Sequence, residues 1–254
     1  MQRGRRSVVL KSPREIDVMR EANRHVAEIL QILCDAVEPG VSTWDLDQIA
    51  RKEIGARGVG SPFLGYHGYP AVTCTSVNEE IVHGIPRRDK ILREGDVIGI
   101  DFGVTHQGYV GDAARTVSVG PTRSEAQKLI DVTHAALDAA IEVCTPEHRL
   151  SDIGRVVQAL AEEHGYGIVR EFVGHGVGTR MHEDPQVPNY YDGPLKRLRP
   201  GLVIAVEPML NLGTHEVQVL SDGWTAVTKD GAWSAHFEDS IAITDGGPIV
   251  LSRP

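Results

Sequence analysis

Leu92-Arg93-Glu94-Gly95-Asp96-Val97-Ile98-Gly99-Ile100-Asp101 returns 106 residues later as Leu198-Arg199-Pro200-Gly201-Leu202-Val203-Ile204-Ala205-Val206-Glu207, with five of the ten positions identical. Each copy reads as a turn, an apolar strand and a terminal carboxylate. Other landmarks recur at nearly the same offset. Pro39 answers Pro146 and Gly58 answers Gly165 at 107, and Tyr66-His67-Gly68 answers Gly174-His175-Gly176 at 108. Ser12-Pro13-Arg14-Glu15 has the form of a helix capping box with proline at the first helical position, and Thr122-Arg123-Ser124-Glu125 that of a second box. Amphipathic stretches follow over roughly 13–36 and 123–143, the first with Ile16, Met19, Val26, Ile29, Leu30 and Leu33 on one side. A second helix is expected in each half, near 43–57 and 150–164, before strands and turns take over.

The chain therefore reads as an α+β fold of two αα-plus-antiparallel-sheet halves, roughly 12–120 and 121–250, related by a pseudo-twofold. No Pro/Ser linker separates them, so one domain over 12–254 is expected behind a basic tail over 1–11. A site shared by the halves would lie at their junction. At 254 residues the chain exposes ~11,000 Å² folded against ~40,000 Å² open, enough for a sizeable core. Its 26 Lys+Arg against 35 Asp+Glu leave a net charge of −9, which argues against a general nucleic-acid binder. Cys34, Cys74 and Cys144 are too few and scattered for a disulfide framework and suit a reducing compartment. The longest aliphatic run, Leu202 to Val206, is far short of a membrane span. Val8-Val9-Leu10 behind Arg3, Arg5 and Arg6 is too short for a secretory signal, so a cytoplasmic protein is expected.

The strand ending at Asp101 runs on through Phe102-Gly103, turns near Thr105-His106-Gln107-Gly108 and returns from Tyr109 to Val119, a hairpin pattern. Centred between His106 and Gln107, this hairpin sets Asp101 directly opposite Asp112. Two carboxylates about 5 Å apart on apolar strands demand a positive partner: a metal, an arginine or shared protons. In the second half, a hairpin turning at Asp222-Gly223 would place Glu207 opposite Glu238, although Asn211-Leu212-Gly213 and Asp230-Gly231 break the excursion. Four carboxylates can then converge, with His175 of Gly174-His175-Gly176-Val177-Gly178 as the nearest nitrogen ligand in the pattern. Hard oxygens with one imidazole suit two divalent ions, Mn²⁺, Fe²⁺ or Co²⁺, rather than a Cys-rich zinc site. Ions bridged by carboxylates turn a shared water into hydroxide near neutral pH.

The glycine run at His175 resembles a dinucleotide loop, but Pro185 and Pro188 oppose the helix such a loop needs. His25, His134, His148 and His164 fall on helices or their ends and are expected in solvent, and His106 and His215 fall in turns. His83, in His83-Gly84-Ile85-Pro86, and His182, in His182-Glu183-Asp184-Pro185, hold similar places before the two repeated strands. Beside a metal pair they suit polarising a carbonyl or holding a substrate amide.

These residues together resemble the type I methionine aminopeptidases, over essentially residues 12–250. The resemblance rests on Asn78-Glu79 with His83-Gly84-Ile85-Pro86, Asp101-Phe102-Gly103, Gly111-Asp112, the His175 glycine run, Glu207-Pro208-Met209 and Phe237-Glu238. It implies the pita-bread fold and removal of the initiator methionine from nascent chains and peptides whose second residue is small. It implies Asp101 on one ion, His175 and Glu207 on the other, and Asp112 and Glu238 bridging. It further implies that His83 contacts the scissile amide nitrogen or leaving peptide, that His182 polarises the carbonyl and that Glu207 shuttles the proton. The matching methionine pocket is Phe63, Tyr66, Tyr69, Cys74, Met181 and Trp224, with a monovalent cation near Asn78 and Ser234. A cytoplasmic monomer, touching the ribosome transiently through its basic tail, completes the expectation. Phe63 stands where bacterial relatives often carry cysteine, Met181 where phenylalanine is common, and His236-Phe237-Glu238-Asp239 departs around the bridging glutamate. These departures bear on pocket shape. Two other readings are a related peptidase cleaving before proline and a pita-bread module that binds peptides without chemistry. The first usually carries a large N-terminal domain and the second usually loses metal ligands.

Overall fold

The computed structural model describes residues 8–253. The first half contains α1 (Pro13–Asp35), α2 (Thr43–Arg57), β1 (Thr73–Val77), β2 (Glu80–Val82), β3 (Val97–His106) and β4 (Tyr109–Ser118). Next come α3 (Ser124–Glu142), α4 (Leu150–Glu163), β5 (Gly167–Ile168), β6 (Gly174–Gly176), β7 (Glu183–Val187) and β8 (Val203–Val206). The chain closes with β9 (Met209–Asn211), β10 (Val217–Val219), β11 (Ala226–Thr228), β12 (Ser234–His236), β13 (Glu238–Thr244) and β14 (Gly247–Val250). The main sheet is antiparallel in the order β1-β3-β4-β13-β8-β6-β7, with β14 on β13. Its symmetry is visible in that order: β1-β3-β4 of one half meets β6-β8-β13 of the other along β4 and β13.

The helices begin where local chemistry satisfies their free amide groups. Ser12 accepts from Glu15 N–H while the Glu15 carboxylate accepts from Ser12 N–H at 2.7 Å, and Pro13 needs no acceptor. The six apolar residues expected on one side of α1 are all buried. Ser42 and Asp45 form a second box on α2, which the sequence reading passed over. The box expected at Thr122 is absent: Arg123 caps α3 without a side-chain bond, and the Thr122 hydroxyl donates instead to Gly95 O at 2.6 Å. Gly58 and Gly165, paired by the repeat, end α2 and α4 with φ of 64° and 71°, where a side chain would be strained.

Strand alternation decides which residues face the helices. Ile98, Ile100, Phe102 and Val104 of β3 pack with Val26, Ile29 and Leu33 of α1 and Leu46 of α2. Ile204, Val206, Ile241 and Ile243 pack likewise with Leu129 and Leu137 of α3 and Ile153 and Val157 of α4. Odd-numbered β3 residues, even-numbered β13 residues and the position after Val206 therefore turn to the opposite face of the sheet. That face holds the site.

Three further expectations need correction. The β3–β4 hairpin turns at Gln107-Gly108, one position later than expected, so Asp101 pairs with Ala114 and Asp112 with Gly103. Both loop residues take positive φ, 47° and 82°, the geometry of a type I′ turn, and glycine at the second position favours it. Asp101 and Asp112 are diagonal rather than opposite, but the shift is even and keeps them on one face, about 7–8 Å apart at the backbone. The Tyr66–Gly68 correspondence with Gly174–Gly176 is also not structural: the former is a 3₁₀ turn, the latter strand β6. In the second half, Asp239↔Val206, Asn211↔Ser234 and Val217↔Thr228 all keep the register centred on Asp222-Gly223 despite the breaks. Val8 and Leu10 pack against the α3–α4 core and Lys11 is buried, so these residues belong to the packed body rather than to a tail. Arg3, Arg5 and Arg6 lie outside the described residues. Among the described residues no helix is long and apolar enough to cross a membrane.

Candidate metal centre

Asp101 on β3, Asp112 on β4, Glu238 at the start of β13 and Glu207 just past β8 share one face of the sheet at the junction of the halves. His175 joins them because β6 pairs with β8, setting it against Ala205. Its Nδ1 lies 2.9 Å from Gly176 O, and a carbonyl can only accept, so Nδ1 carries the proton. That leaves Nε2 as a bare lone pair, 3.5 Å from Glu207 Oε1 and 3.8 Å from Asp112 Oδ2. Ligand atoms of Asp112, His175 and Glu238 fall within 4.8 Å of one another. Close backbone contact makes this possible: a Cβ on Gly174 would sit 2.3 Å from Ala205 O, so only glycine lets β6 approach β8 there.

The electrostatics of the cluster are those of charge without a protein counter-ion. Burial lifts the Asp101 carboxyl to about 7. Burial, then repulsion from neighbouring carboxylates, pushes Asp112, Glu207 and Glu238 well above the usual range. Asp101 Oδ1, Asp112 Oδ1 and Glu238 Oε1 are buried with no hydrogen-bond partner. Among the described residues no lysine or arginine lines the cavity. The guanidinium of Arg115 is spent on Glu238 O at 2.6 Å and Asp239 Oδ1 at 2.7 Å. Orphaned hard oxygens beside an imidazole lone pair fit divalent cations.

His236 was missed at the sequence level. It is buried on β12 with Nε2 unpartnered, 3.8 Å from Glu207 Oε2, and burial holds its imidazole at about 3. Its two-residue spacing from Glu238 was the available signal, since that spacing puts both side chains on one face of an extended segment.

A cavity of about 150 Å³ opens beside the carboxylates. All six residues expected as a pocket wall line it, Phe63, Tyr66, Tyr69, Cys74, Met181 and Trp224, together with His83 and His182. Phe172 lines it too, and no motif had marked it. Tyr69 and Trp224 meet edge to face at 5.0 Å, and His83 stands edge-on to Phe172 at 5.1 Å. His83 has φ 61°, a left-handed conformation that a non-glycine residue adopts at a cost. The following Gly84 presses its backbone onto β1, where a Cβ would come within 2.2 Å of Thr75 O. Burial holds the His83 imidazole at about 4, hence neutral. The His182 ring lies 4.2 Å from that of His175, centroid to centroid, with the planes tilted by 59°, and its Nδ1 is 2.7 Å from the Tyr66 hydroxyl. Asn78 and Ser234 are also adjacent: Ser234 N–H donates to Asn78 O at 2.9 Å, while the Asn78 amide bonds Val97 and Asp96. Of the remaining histidines, His134 and His215 are exposed, whereas His25, His106, His148 and His164 are half-buried rather than fully solvated.

Residues 17–245 match the family model of metallopeptidase family M24. The chain is 47% identical over 256 residues to a methionine aminopeptidase of Aquifex aeolicus, covering 97% of this chain and 99% of the relative. To methionine aminopeptidase 1 of Bacillus subtilis it is 46% identical over 249 residues, covering 97% and 99%. The crystal structure of methionine aminopeptidase from Thermotoga maritima superposes with a TM-score of 0.96 at 41% identity, over 98% of this chain and 100% of that one. Prolidase from Pyrococcus furiosus superposes at 0.78 with 20% identity, over 97% of this chain and 66% of that one, a likeness of fold alone.

Proposed function

The chain belongs to metallopeptidase family M24 and, within it, to the methionine aminopeptidases, and from that premise we propose how its pita-bread body removes methionine from peptide N-termini. It is a metal-dependent hydrolase. The observation that carries the reading is the adjacency of an unneutralised ligand set to an aromatic-lined cavity of side-chain size. Asp101, Asp112, His175, Glu207 and Glu238 would hold two divalent ions, Mn²⁺, Fe²⁺ or Co²⁺. When bound, these supply Lewis acidity that makes water nucleophilic at neutral pH.

The protein's own groups do the rest. Phe63, Tyr69, Met181 and Trp224 enclose an unbranched side chain and exclude water from it; sulfur–aromatic contact favours methionine by only about 0.3–1.5 kcal/mol, so shape supplies most of the selectivity. For this role the Tyr66 hydroxyl, 2.7 Å from His182 Nδ1, acts as the donor, which leaves the ring proton on Nε2 to be given to the substrate carbonyl oxygen, where negative charge develops. His83, held by its left-handed backbone and by Phe172, faces the leaving amide. Glu207 carries the proton to the departing amine. His83 and the strand ends leave space for only a small second residue. The physiological setting we propose is a cytoplasmic monomer acting on nascent chains, with a monovalent cation near Asn78 and Ser234 and a transient ribosome contact through Arg3, Arg5 and Arg6.

Free-amino-acid release from four peptides under one metal condition tests this. Met-Ala-Ser should be cleaved rapidly, Met-Lys-Ser very slowly, and Ala-Pro-Ser and acetyl-Met-Ala-Ser hardly at all. Preference for Ala-Pro-Ser would move the protein to the Xaa-Pro peptidases, and no cleavage with any ion would leave a peptide-binding module.

A further inference from the structure

Lys11 precedes α1, yet its side chain runs inward to an ion pair with Glu183, Nζ to Oε2 at 2.6 Å, with both side chains only 3% exposed. The partners are 172 residues apart in sequence. The Lys11 backbone is fixed as well: its N–H donates to Gly201 O at 2.6 Å. Two glycines make room for this passage. A Cβ on Gly201, which has φ +87°, would meet Lys11 O at 2.7 Å, and one on Gly178 would meet Lys11 Cε at 2.6 Å.

The other oxygen of Glu183 faces the turn between β6 and β7. Oε1 accepts from Thr179 N–H at 3.1 Å and Arg180 N–H at 3.4 Å. That turn carries Met181 of the pocket wall and His182, the residue immediately before Glu183. One carboxylate thus clamps the turn with one oxygen and answers the Lys11 ammonium with the other. A buried carboxylate deprived of the cation that answers it is strongly driven toward water, and moving it would pull the two amides and the turn with it.

We propose that Lys11 is a positioning residue for His182 and Met181, acting through Glu183. The proposal rests on the role given to His182 above. Displacement of a catalytic donor by about 1 Å costs on the order of 10²-fold in rate. Lys11→Met keeps the length of the stem and removes the charge. In it kcat for Met-Ala-Ser should fall roughly 10- to 100-fold, by more than KM rises, with metal content unchanged. The Thr179 and Arg180 amides should lose hydrogen-exchange protection. The double variant Lys11→Met/Glu183→Gln leaves no buried charge, and its amide oxygen can still accept from both amides, so it should recover much of kcat and of the protection. Ser42→Ala, which weakens the distant cap of α2, serves as a comparison for general loss of stability and should keep kcat at temperatures where it is folded.

Wild-type kcat in Lys11→Met overturns the proposal. So does a double variant no better than the single one, because Lys11 would then not act through Glu183. If wild-type protein releases no methionine, the functional reading fails by itself. The amides still judge the clamp, since unchanged protection in Lys11→Met overturns it whether or not the enzyme turns over. Should Lys11→Met not fold, the double variant carries the test: folded, protected and active supports the clamp, and folded but unprotected overturns it.

Discussion

At the scale of single residues, the site depends on proton placement fixed by neighbours. His175 and His182 lie side by side, ring centroids 4.2 Å apart and planes tilted by 59°. The Gly176 carbonyl puts the His175 proton on Nδ1, and in the proposed mechanism the Tyr66 hydroxyl donates to His182 Nδ1 and leaves the His182 proton on Nε2, the opposite tautomer. In that mechanism one ring is a ligand and the other a donor. Tyr66→Phe keeps the aromatic wall but loses the hydroxyl, so His182 can turn or exchange tautomers. We expect kcat to fall roughly 10- to 100-fold with KM for methionine peptides nearly unchanged and metal content intact. Steady-state kinetics with elemental analysis checks it, and full kcat in this variant would refute the orientation assigned to His182. Much of this was legible in sequence: the carboxylates stand out because each half carries a pair of them on a hairpin, and His175 because it is the nearest nitrogen ligand in that pattern. His236 did not stand out, since an isolated histidine between Ala235 and Phe237 has no pattern except its spacing from Glu238. Lys11 was hidden for a different reason: a lysine beside an arginine-rich terminus reads as solvated, and only tertiary structure shows Glu183 waiting for it.

At the scale of elements, local signals held where they were complete and failed where tertiary geometry chose between them. Ser12 and Glu15 with Pro13 between them, followed by an apolar stripe, start α1 where expected. Thr122 and Glu125 have the same form, but Gly95 O competes for the threonine hydroxyl and wins it. The β3–β4 register slipped because His106-Gln107 and Gln107-Gly108 are both plausible loop centres, and only the second puts glycine where φ must be positive. Both registers put Asp101 and Asp112 on one face, because an even shift preserves it. Two predictions belong here. Ser42→Ala removes one half of the α2 capping box and should cost about 1 kcal/mol, a drop of about 2–4 °C in Tm for a protein of this size. Gly84→Ala is more severe, because the new methyl meets backbone at Thr75 that cannot swing aside. It should cost about 1–3 kcal/mol by overpacking and, by lifting the segment after β2, displace His83 and lower kcat beyond what the stability loss explains. Thermal melts compared with kinetics separate the two effects; an unperturbed Gly84→Ala enzyme would show that the β1 contact does not hold His83.

At the scale of the whole molecule, the candidate metal centre lies at the seam between two similar halves, so its charge bears on global stability. Without ions, Asp101, Asp112, Glu207 and Glu238 are buried together, and all four hold protons to higher pH folded than unfolded. The folded state then binds more protons than the unfolded state above the ordinary carboxylate range, so stability falls as pH rises. His83, His175 and His236 act oppositely: held at about 4, about 3 and about 3, they gain stability as pH rises toward 6.5, the ordinary histidine value. Below 6.5 the two groups of residues oppose each other; above it the carboxylates still differ between states, and the thiols of Cys34, Cys74 and Cys144, raised by burial, add to the same slope at the alkaline end. Metal-free protein should therefore lose Tm between pH 6.5 and 8.5. Saturating Mn²⁺ should reverse the slope, because cations compete with those protons and bind more tightly as pH rises. Glu238→Gln removes one of the four charges at constant shape. It should raise the Tm of the metal-free protein at pH 8, while shrinking the Mn²⁺-induced increase and abolishing turnover. Differential scanning calorimetry at pH 6.5 and 8.5, with chelator or Mn²⁺, measures all of this. A metal-free Tm that rises across that interval, or a Glu238→Gln protein that Mn²⁺ stabilises as much as wild type, would mean that the four carboxylates do not share the charge burden that places the metal at the seam.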